Sequence, residues 1–446
     1  MSDDSKSQGA SEAGGYGFET RMIHAGSPPE PITGARQTPI YQNVGYVFHD
    51  ADHAASLYNL QTFGFIYSRL TNPTVSALEE RIASLEGGRG ATCCASGHAA
   101  QLLTFFAFME PGDEFVASNK LYGGSLTQFT KTFRKFDWHG HIVDSGDLDV
   151  VRAAIGPKCK AIFVESLANP GGVVSDLEAL AALAHDAGIL LIVDNTLATP
   201  YLCRPIEWGA DIVVHSTTKF IAGSGTAVGG CVVDSGRFDW GQNDKYAGLT
   251  EPEPAYHGIS FYETFGDLAF TNHAHAVSLR DLGPTMAPMN AWLTLLGAET
   301  LALRMERHCS NALAVARFLE SHPAVAWVSF PGLADNPYHA LAERYLSGHY
   351  GSLFTFGVTG GYDMGMRVVE SCELWSHLAN IGDTRSLILH PASTTHRQLT
   401  EEQRSAAGAG DDTVRLSVGL ETPEDLIADL DRALNRALDE HQRAAE

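Results

Sequence analysis

Positive charge is what this sequence has least of. Its 446 residues carry 30 Lys and Arg against 53 Asp and Glu, a formal charge of -23, and no basic cluster interrupts the acidic background. A surface of that sign repels phosphate backbones and anionic lipid, so nucleic acid and membrane surfaces are poor partners. Cysteine is sparse as well: seven are scattered without a C-x-x-C, and an odd number cannot pair completely. The adjacent Cys93 and Cys94 lie in an apolar, strand-like run where neighbours point to opposite faces. They read as small core residues of a reduced compartment. Nineteen histidines include no H-E-x-x-H or equivalent ligand spacing, so no metal site is expected. No apolar run reaches transmembrane length, and the N-terminal MSDDSKSQGASEAGG has no apolar signal core. These absences point to a cytoplasmic protein.

What is present is a chain too long for one core of ordinary size, with 44% apolar residues to fill two. There is no internal repeat. Residues 1–16 hold nothing to bury and are expected to be disordered. From Phe18 to Leu70 the chain is irregular and proline-punctuated, an arm better suited to lying on a neighbour than to folding on itself. Residues 1–75 are therefore read as tail and arm, 76–290 as a first domain and 291–446 as a smaller second one.

Asn72 and Pro73 suit an N-cap and first helical residue, and Val75, Leu78, Ile82 and Leu85 mark the apolar face of a helix ending at Gly87-Gly88. Short apolar strands follow at Ala91–Ala95, Asp113–Ser118, Ile142-Val143, Ala161–Glu165, Ile189–Val193 and Ile212–Val214, with helices between them. Ser175 and Glu178 read as a capping box for a helix closed by Gly188. Such alternation implies an α/β fold, a mostly parallel sheet with helices on both faces. GSGTAVGG (223–230) is no dinucleotide fingerprint, because it leads into a strand rather than a helix. Helical patterning resumes over Met289–Ser321. A smaller α+β part then offers a strand at Ser352–Val358, the segments HPASTTH (390–396) and VRLSVGLE (414–421), and a last amphipathic helix started by Thr422, Pro423 and Asp425.

Two polar residues end apolar strands, and open α/β sheets bind ligands beyond the carboxyl ends of their strands. Asp194 follows ILLIV, and Lys219 follows the strand ending at Val214 through His215-Ser216-Thr217-Thr218. A lysine amine that forms a Schiff base, with a carboxylate to pair a pyridinium nitrogen, is what pyridoxal 5'-phosphate (PLP) requires. Ser216 and Thr218, two residues apart on an extended segment, would face one side and hold a phosphate. The glycine turn Ser96-Gly97-His98 opens a helix, presenting main-chain N–H groups of Gly97 and His98 as a second phosphate contact. Arg415 lies in an otherwise apolar strand, where a guanidinium is expensive unless an anion meets it; Glu421 is one alternative partner.

V-D-N-T (193–196) followed by H-S-x-T-K (215–219) resembles the Cys/Met-metabolism family of PLP enzymes, which includes cystathionine synthases and lyases, methionine γ-lyase and homoserine-ester sulfhydrylases. The resemblance runs from Phe18 to the C-terminal helix. It implies a fold-type I PLP-dependent transferase, assembled as a homotetramer of active-site-sharing dimers. It implies that Tyr67 and Arg69, within Y-S-R-x-x-N-P-T, reach the neighbouring subunit's cofactor phosphate, and that Tyr122 of Y-G-G-S stacks on the pyridine ring. Asn169 of E-S-x-x-N-P would bond the phenolic oxygen, Thr196 would belong to the cofactor site, and Arg415 with Asn380 would take the substrate's α-carboxylate. Lys219, Tyr122 and Tyr67 are the catalytic candidates. Methionine γ-lyases carry a cysteine where this chain has Gly124. That difference, LYGGSLTQF (121–129) and the long insertion Trp240–Pro288 all resemble the O-acetylhomoserine sulfhydrylase branch. The implied reaction takes an amino-acid ester and sulfide to homocysteine, with γ-lyase, cystathionine γ-synthase and O-succinylhomoserine sulfhydrylase as alternatives.

Two rivals come from other classes. Ser216 to Lys219 also spells S-x-x-K of serine acyl-enzymes, but neither S-D-N nor K-T-G occurs and the serine follows a strand. A cofactor-binding protein without catalysis is the other, prompted by Ser224 where many relatives have the histidine of G-H-G. At that position a hydroxyl is expected to satisfy neighbouring main-chain groups.

Overall fold

Branched apolar runs become strands buried on both sides. In the computed structural model, which describes residues 15–395, 397, 404 and 408–445, seven strands form one sheet: β1 (Gly90–Cys94), β2 (Glu114–Ser118), β3 (His139–Val143), β4 (Cys159–Glu165), β5 (Leu190–Asp194), β6 (Ile212–His215) and β7 (Gly230–Asp234). Their order is β1-β7-β6-β5-β4-β2-β3, and only β7 runs against its neighbours. The strand period of two sorts side chains between two cores. Leu191 and Val193 enter one core, Leu190 and Ile192 the other, and Cys93 and Cys94 divide the same way.

Helices cover each face. Pro73–Glu86 is capped by Asn72, whose side chain accepts from the Thr74 N–H, and ends at Gly87 with φ 75°. Its Leu78 and Ile82 are fully buried, each stabilising the fold by about 2 kcal/mol. Gly97–Phe106 packs on the opposite face, together with the insertion, whose Trp240, Tyr246, Phe261 and Phe270 close that core. The helix Leu177–Asp186 corrects the expected capping box: Asp176 is its N-cap, accepting from the Ala179 N–H. Ser175 instead donates to the Glu165 carbonyl, and Glu178 pairs with Arg344. Asp176 stands one residue nearer the first turn, with a carboxylate in place of a hydroxyl.

The helical patterning over 289–321 forms two helices, Pro288–Ala298 and Leu301–Glu320, which lead to the second sheet. That sheet contains β8 (Val325–Ser329), β9 (Leu353–Val358), β10 (Ser376–His377), β11 (Leu387–Leu389) and β12 (Thr413–Ser417), ordered β10-β11-β12-β9-β8. The final helix, Pro423–Ala445, buries Leu426, Leu430 and Leu434 against it. The tail expected to be disordered falls, up to residue 14, outside the described residues, as does His396 of HPASTTH. Among the described residues no helix is long and apolar enough to cross a membrane, and no cluster of three His, Cys, Asp or Glu is arranged for a metal ion.

Candidate active site

The carboxyl ends of β4, β5 and β6 open on a cavity of about 270 Å³. Asp194 ends β5, beside Glu165 at the end of β4. Its Oδ1 accepts from the Thr196 N–H at 3.0 Å and its Oδ2 from Gln101 Nε2 at 3.4 Å. Burial raises its pKa, with the Thr196 bonds opposing. The Thr196 hydroxyl in turn accepts from the Ser216 N–H at 2.8 Å, tying the end of β5 to the segment that carries the lysine.

After β6 the chain does not stay extended. It turns, with the Lys219 N–H on the Ser216 carbonyl, yet Ser216, Thr218 and Lys219 all still line the cavity while Thr217 is fully buried. The turn is held from behind by the buried Arg304, which donates to the carbonyls of Phe220, Ile221 and Gly297. The Thr218 hydroxyl is already paired with both the N–H and the carbonyl of Gly229. Lys219 Nζ donates to Asn380 Oδ1 at 2.6 Å. Burial, then the nearby Arg415 charge, pull its pKa down to about 8.

Gly97 and His98 open the helix beside Ser216, at positions whose N–H groups have no intrahelical acceptor. A Cβ on Gly97 would come within 2.7 Å of the Ser216 Cβ, so only glycine lets the two loops meet. The His98 ring touches the Tyr122 ring edge-on, with centroids 5.9 Å apart. Tyr122 is half exposed at the cavity mouth. A Cβ on Gly124 would lie 2.4 Å from its ring, so glycine is what leaves that ring room.

Arg415, in β12, is 8% exposed. It donates to Asn169 Oδ1 at 3.3 Å and to the Asn380 carbonyl at 3.2 Å, and forms no ion pair among the described residues. The alternative partner Glu421 accepts instead from Ser386. A guanidinium with five donors and two long bonds to neutral oxygens is prepared for an incoming carboxylate.

The cavity thus gathers Lys219, Asp194, Ser216, Thr218, Thr196, Gly97, His98, Tyr122, Asn169, Asn380 and Arg415. It does not gather Tyr67 and Arg69, which lie on the arm with the guanidinium 5.3 Å from the tyrosine ring centroid. Ser224 differs from expectation: its hydroxyl pairs with the Thr226 hydroxyl, and it is the Ser224 carbonyl that takes a bond, from Arg385. Sequence reasoning gave no role to Gln101, Glu165 and Arg304. Glu165 and Arg304 carried a signal, a carboxylate ending an apolar strand and an arginine on the buried face of an apolar helix.

The donor set suits PLP. A buried carboxylate, a lysine with a lowered pKa, a helix N-terminus beside hydroxyls and an exposed aromatic face surround one space. Capture of PLP by cofactor-free protein requires the neutral amine. Its rate is expected to rise about tenfold per pH unit below 8 and to level off above; a rate still climbing at pH 10 would describe an ordinary lysine.

A model of the Cys/Met metabolism PLP-dependent enzymes matches residues 19–435. The chain is similar to the O-acetyl-L-homoserine sulfhydrylase of Leptospira meyeri, 47% identical over 425 residues that cover 93% of this chain and 96% of the relative. It is 48% identical over 419 residues to O-acetyl-L-homoserine sulfhydrylase 1 of Thermus thermophilus, covering 94% and 99%. A solved structure described as an O-acetylhomoserine (thiol)-lyase of Campylobacter jejuni, with N'-pyridoxyl-lysine-5'-monophosphate, aligns at a TM-score of 0.91 and 40% identity, covering 94% of this chain and 100% of that one.

Proposed function

The chain belongs to the Cys/Met metabolism PLP-dependent enzyme family, and from that membership we propose that it converts O-acetyl-L-homoserine and sulfide to L-homocysteine and acetate, a step of methionine biosynthesis. The observation that carries this reading is the one cavity that Lys219 and Asp194 share with Arg415, a guanidinium with no ion pair among the described residues. PLP, when bound, supplies an aldehyde that takes up amines and a ring that draws electrons from the bonds at the substrate's α-carbon.

In this proposal Lys219 Nζ holds the cofactor, Asp194 keeps a proton on the ring nitrogen, Tyr122 covers the ring face and Asn169 meets the phenolic oxygen. Gly97, His98, Ser216 and Thr218 surround the phosphate, and Thr196 braces Asp194 and Ser216. Arg415, oriented with Asn380, takes the substrate α-carboxylate. Once free, the Lys219 amine would take the proton from Cα; a second proton leaves Cβ, acetate departs from Cγ, sulfide forms the new C–S bond there, and protons then return to Cβ and to Cα. Residues 76–290 would be the PLP-binding unit and 291–446 the unit that closes over it. Seven free cysteines, six of them buried, support a reduced, cytoplasmic setting.

The test is product partition. O-acetylhomoserine with sulfide should give homocysteine much faster than α-ketobutyrate, with methionine barely cleaved. Rapid ammonia release from methionine, or cystathionine as the main product with cysteine, would move the activity to a γ-lyase or a γ-synthase. Preference for the succinyl ester would change the substrate alone.

The arm supports a shared site in a homotetramer. Ile32 is 90% exposed, Val47 97% and Phe63 79%, apolar area that a second copy would cover. Mixing Arg69→Ala with Lys219→Ala subunits should therefore restore activity through hybrid sites. No recovery after verified subunit exchange would place Tyr67 and Arg69 in their own subunit's site.

A further inference from the structure

Glu165 is a carboxylate that the proposed chemistry leaves unused, and it is 5% exposed at the end of β4. Among the described residues it forms no ion pair. Its two oxygens are nonetheless both engaged. Oε1 accepts from the Tyr122 N–H at 2.6 Å, and Oε2 accepts from the Asn169 N–H at 3.0 Å. Burial, then the adjacent Asp194, push its pKa up, so keeping an acid at this point works against the fold.

The Tyr122 carbonyl accepts from the Ser125 and Leu126 N–H groups, which leaves its own N–H to Glu165. The Tyr122 hydroxyl forms no hydrogen bond among the described residues, and its ring rests on the His98 edge and over Gly124. Its place is set by the main chain, which Glu165 holds at the N–H and the following helix turn holds at the carbonyl. The Asn169 side chain accepts from Arg415 Nη1 at 3.3 Å, so the grip on its main chain passes to the guanidinium as well. Both partners of Glu165 are donors. A glutamine there would have one acceptor and one donor, and its NH2 would face an N–H.

We propose that Glu165 is a positioning residue whose carboxylate clamps the main chain at Tyr122 and Asn169, holding the aromatic ring, the amide and Arg415 in one register around the cofactor. The proposal rests on the reading of Tyr122 and Asn169 as cofactor contacts. It accounts for an acid at a site where burial and a neighbouring acid both oppose one. The register matters because orientation of bound groups is a large part of what a site of this kind contributes.

The experiment begins with borohydride reduction of the holoenzyme. Label on a residue other than Lys219 would remove the cofactor reading itself, and with it this proposal. With label on Lys219, E165Q is compared with the wild type for PLP dissociation and for induced circular dichroism in the visible band, per bound PLP. Measured above pH 8, where the raised acid is ionised, loss of one charge-assisted bond should weaken PLP about tenfold, and the dichroism should shrink or change sign as the ring loses its fixed partner. The KM for O-acetylhomoserine should rise as Arg415 drifts. A variant that melts earlier but keeps wild-type dichroism and PLP affinity would show a structural acid only and overturn the proposal. Should E165Q fail to fold, E165D keeps both acceptors on a shorter arm. Wild-type dichroism and affinity in E165D would overturn the proposal equally.

Discussion

Replacing Lys219 by alanine lowers homocysteine formation by on the order of a thousandfold or more, because the same amine holds the cofactor and moves the Cα proton. The fold should not suffer. Lys219 is a cation drawn out of water beside Arg415, and its lowered pKa records how poorly the site tolerates it. In cofactor-free protein the variant should melt no lower than the wild type, and borohydride should label no lysine. Turnover near the wild-type rate would end the assignment of Lys219. A lower melting temperature would show that the bond from Nζ to Asn380 Oδ1 outweighs the burial of the charge.

Asp194→Asn is expected to follow, with turnover down on the order of a hundredfold, since an amide keeps the shape but cannot hold a proton on a ring nitrogen. Its effect on the cofactor-free fold has the opposite sign. Asp194 and Glu165 adjoin, and burial raises the pKa of both. A raised carboxylate pKa contributes stability that is full below the ordinary carboxylate range and lost as pH rises through the folded value. Cofactor-free wild type should therefore lose melting temperature as pH climbs from that range, and Asp194→Asn should lose less. PLP should flatten the wild-type dependence by giving Asp194 a positive partner. Parallel pH profiles for the two proteins would sink this account.

The acids and bases of the site were legible where burial and period act locally. A strand buried on both faces must be apolar, so the polar residue that ends it is conspicuous; Asp194 could be found this way. Lys219 was found by the same rule, although the chain between His215 and the lysine turns rather than running straight. The turn closes on a bond from the Lys219 N–H to the Ser216 carbonyl, and the carbonyls just past it, of Phe220 and Ile221, are held by Arg304 from a helix far along the chain. Glu165 obeyed the strand-end rule as well as Asp194 did. Its partners are main-chain N–H groups, which no side-chain pattern displays.

By itself the sequence determined the alternation of strands and helices, the two faces to which Cys93 and Cys94 turn, the cap at Asn72 and the polar residues that end β5 and follow β6. Each follows from residue type within one element. Only the tertiary structure decided which of them meet. Lys219 and Asn380 are 161 positions apart and Asn169 and Arg415 246 apart, each pair joined by one hydrogen bond. It also decided that Asp176 caps its helix in place of Ser175, that Ser224 turns its hydroxyl to Thr226, and that Arg415 meets no acid among the described residues. Those outcomes depend on the distance between groups on different elements. That distance is fixed by how the two sheets and their helices pack, through contacts whose sequence separation no local pattern encodes.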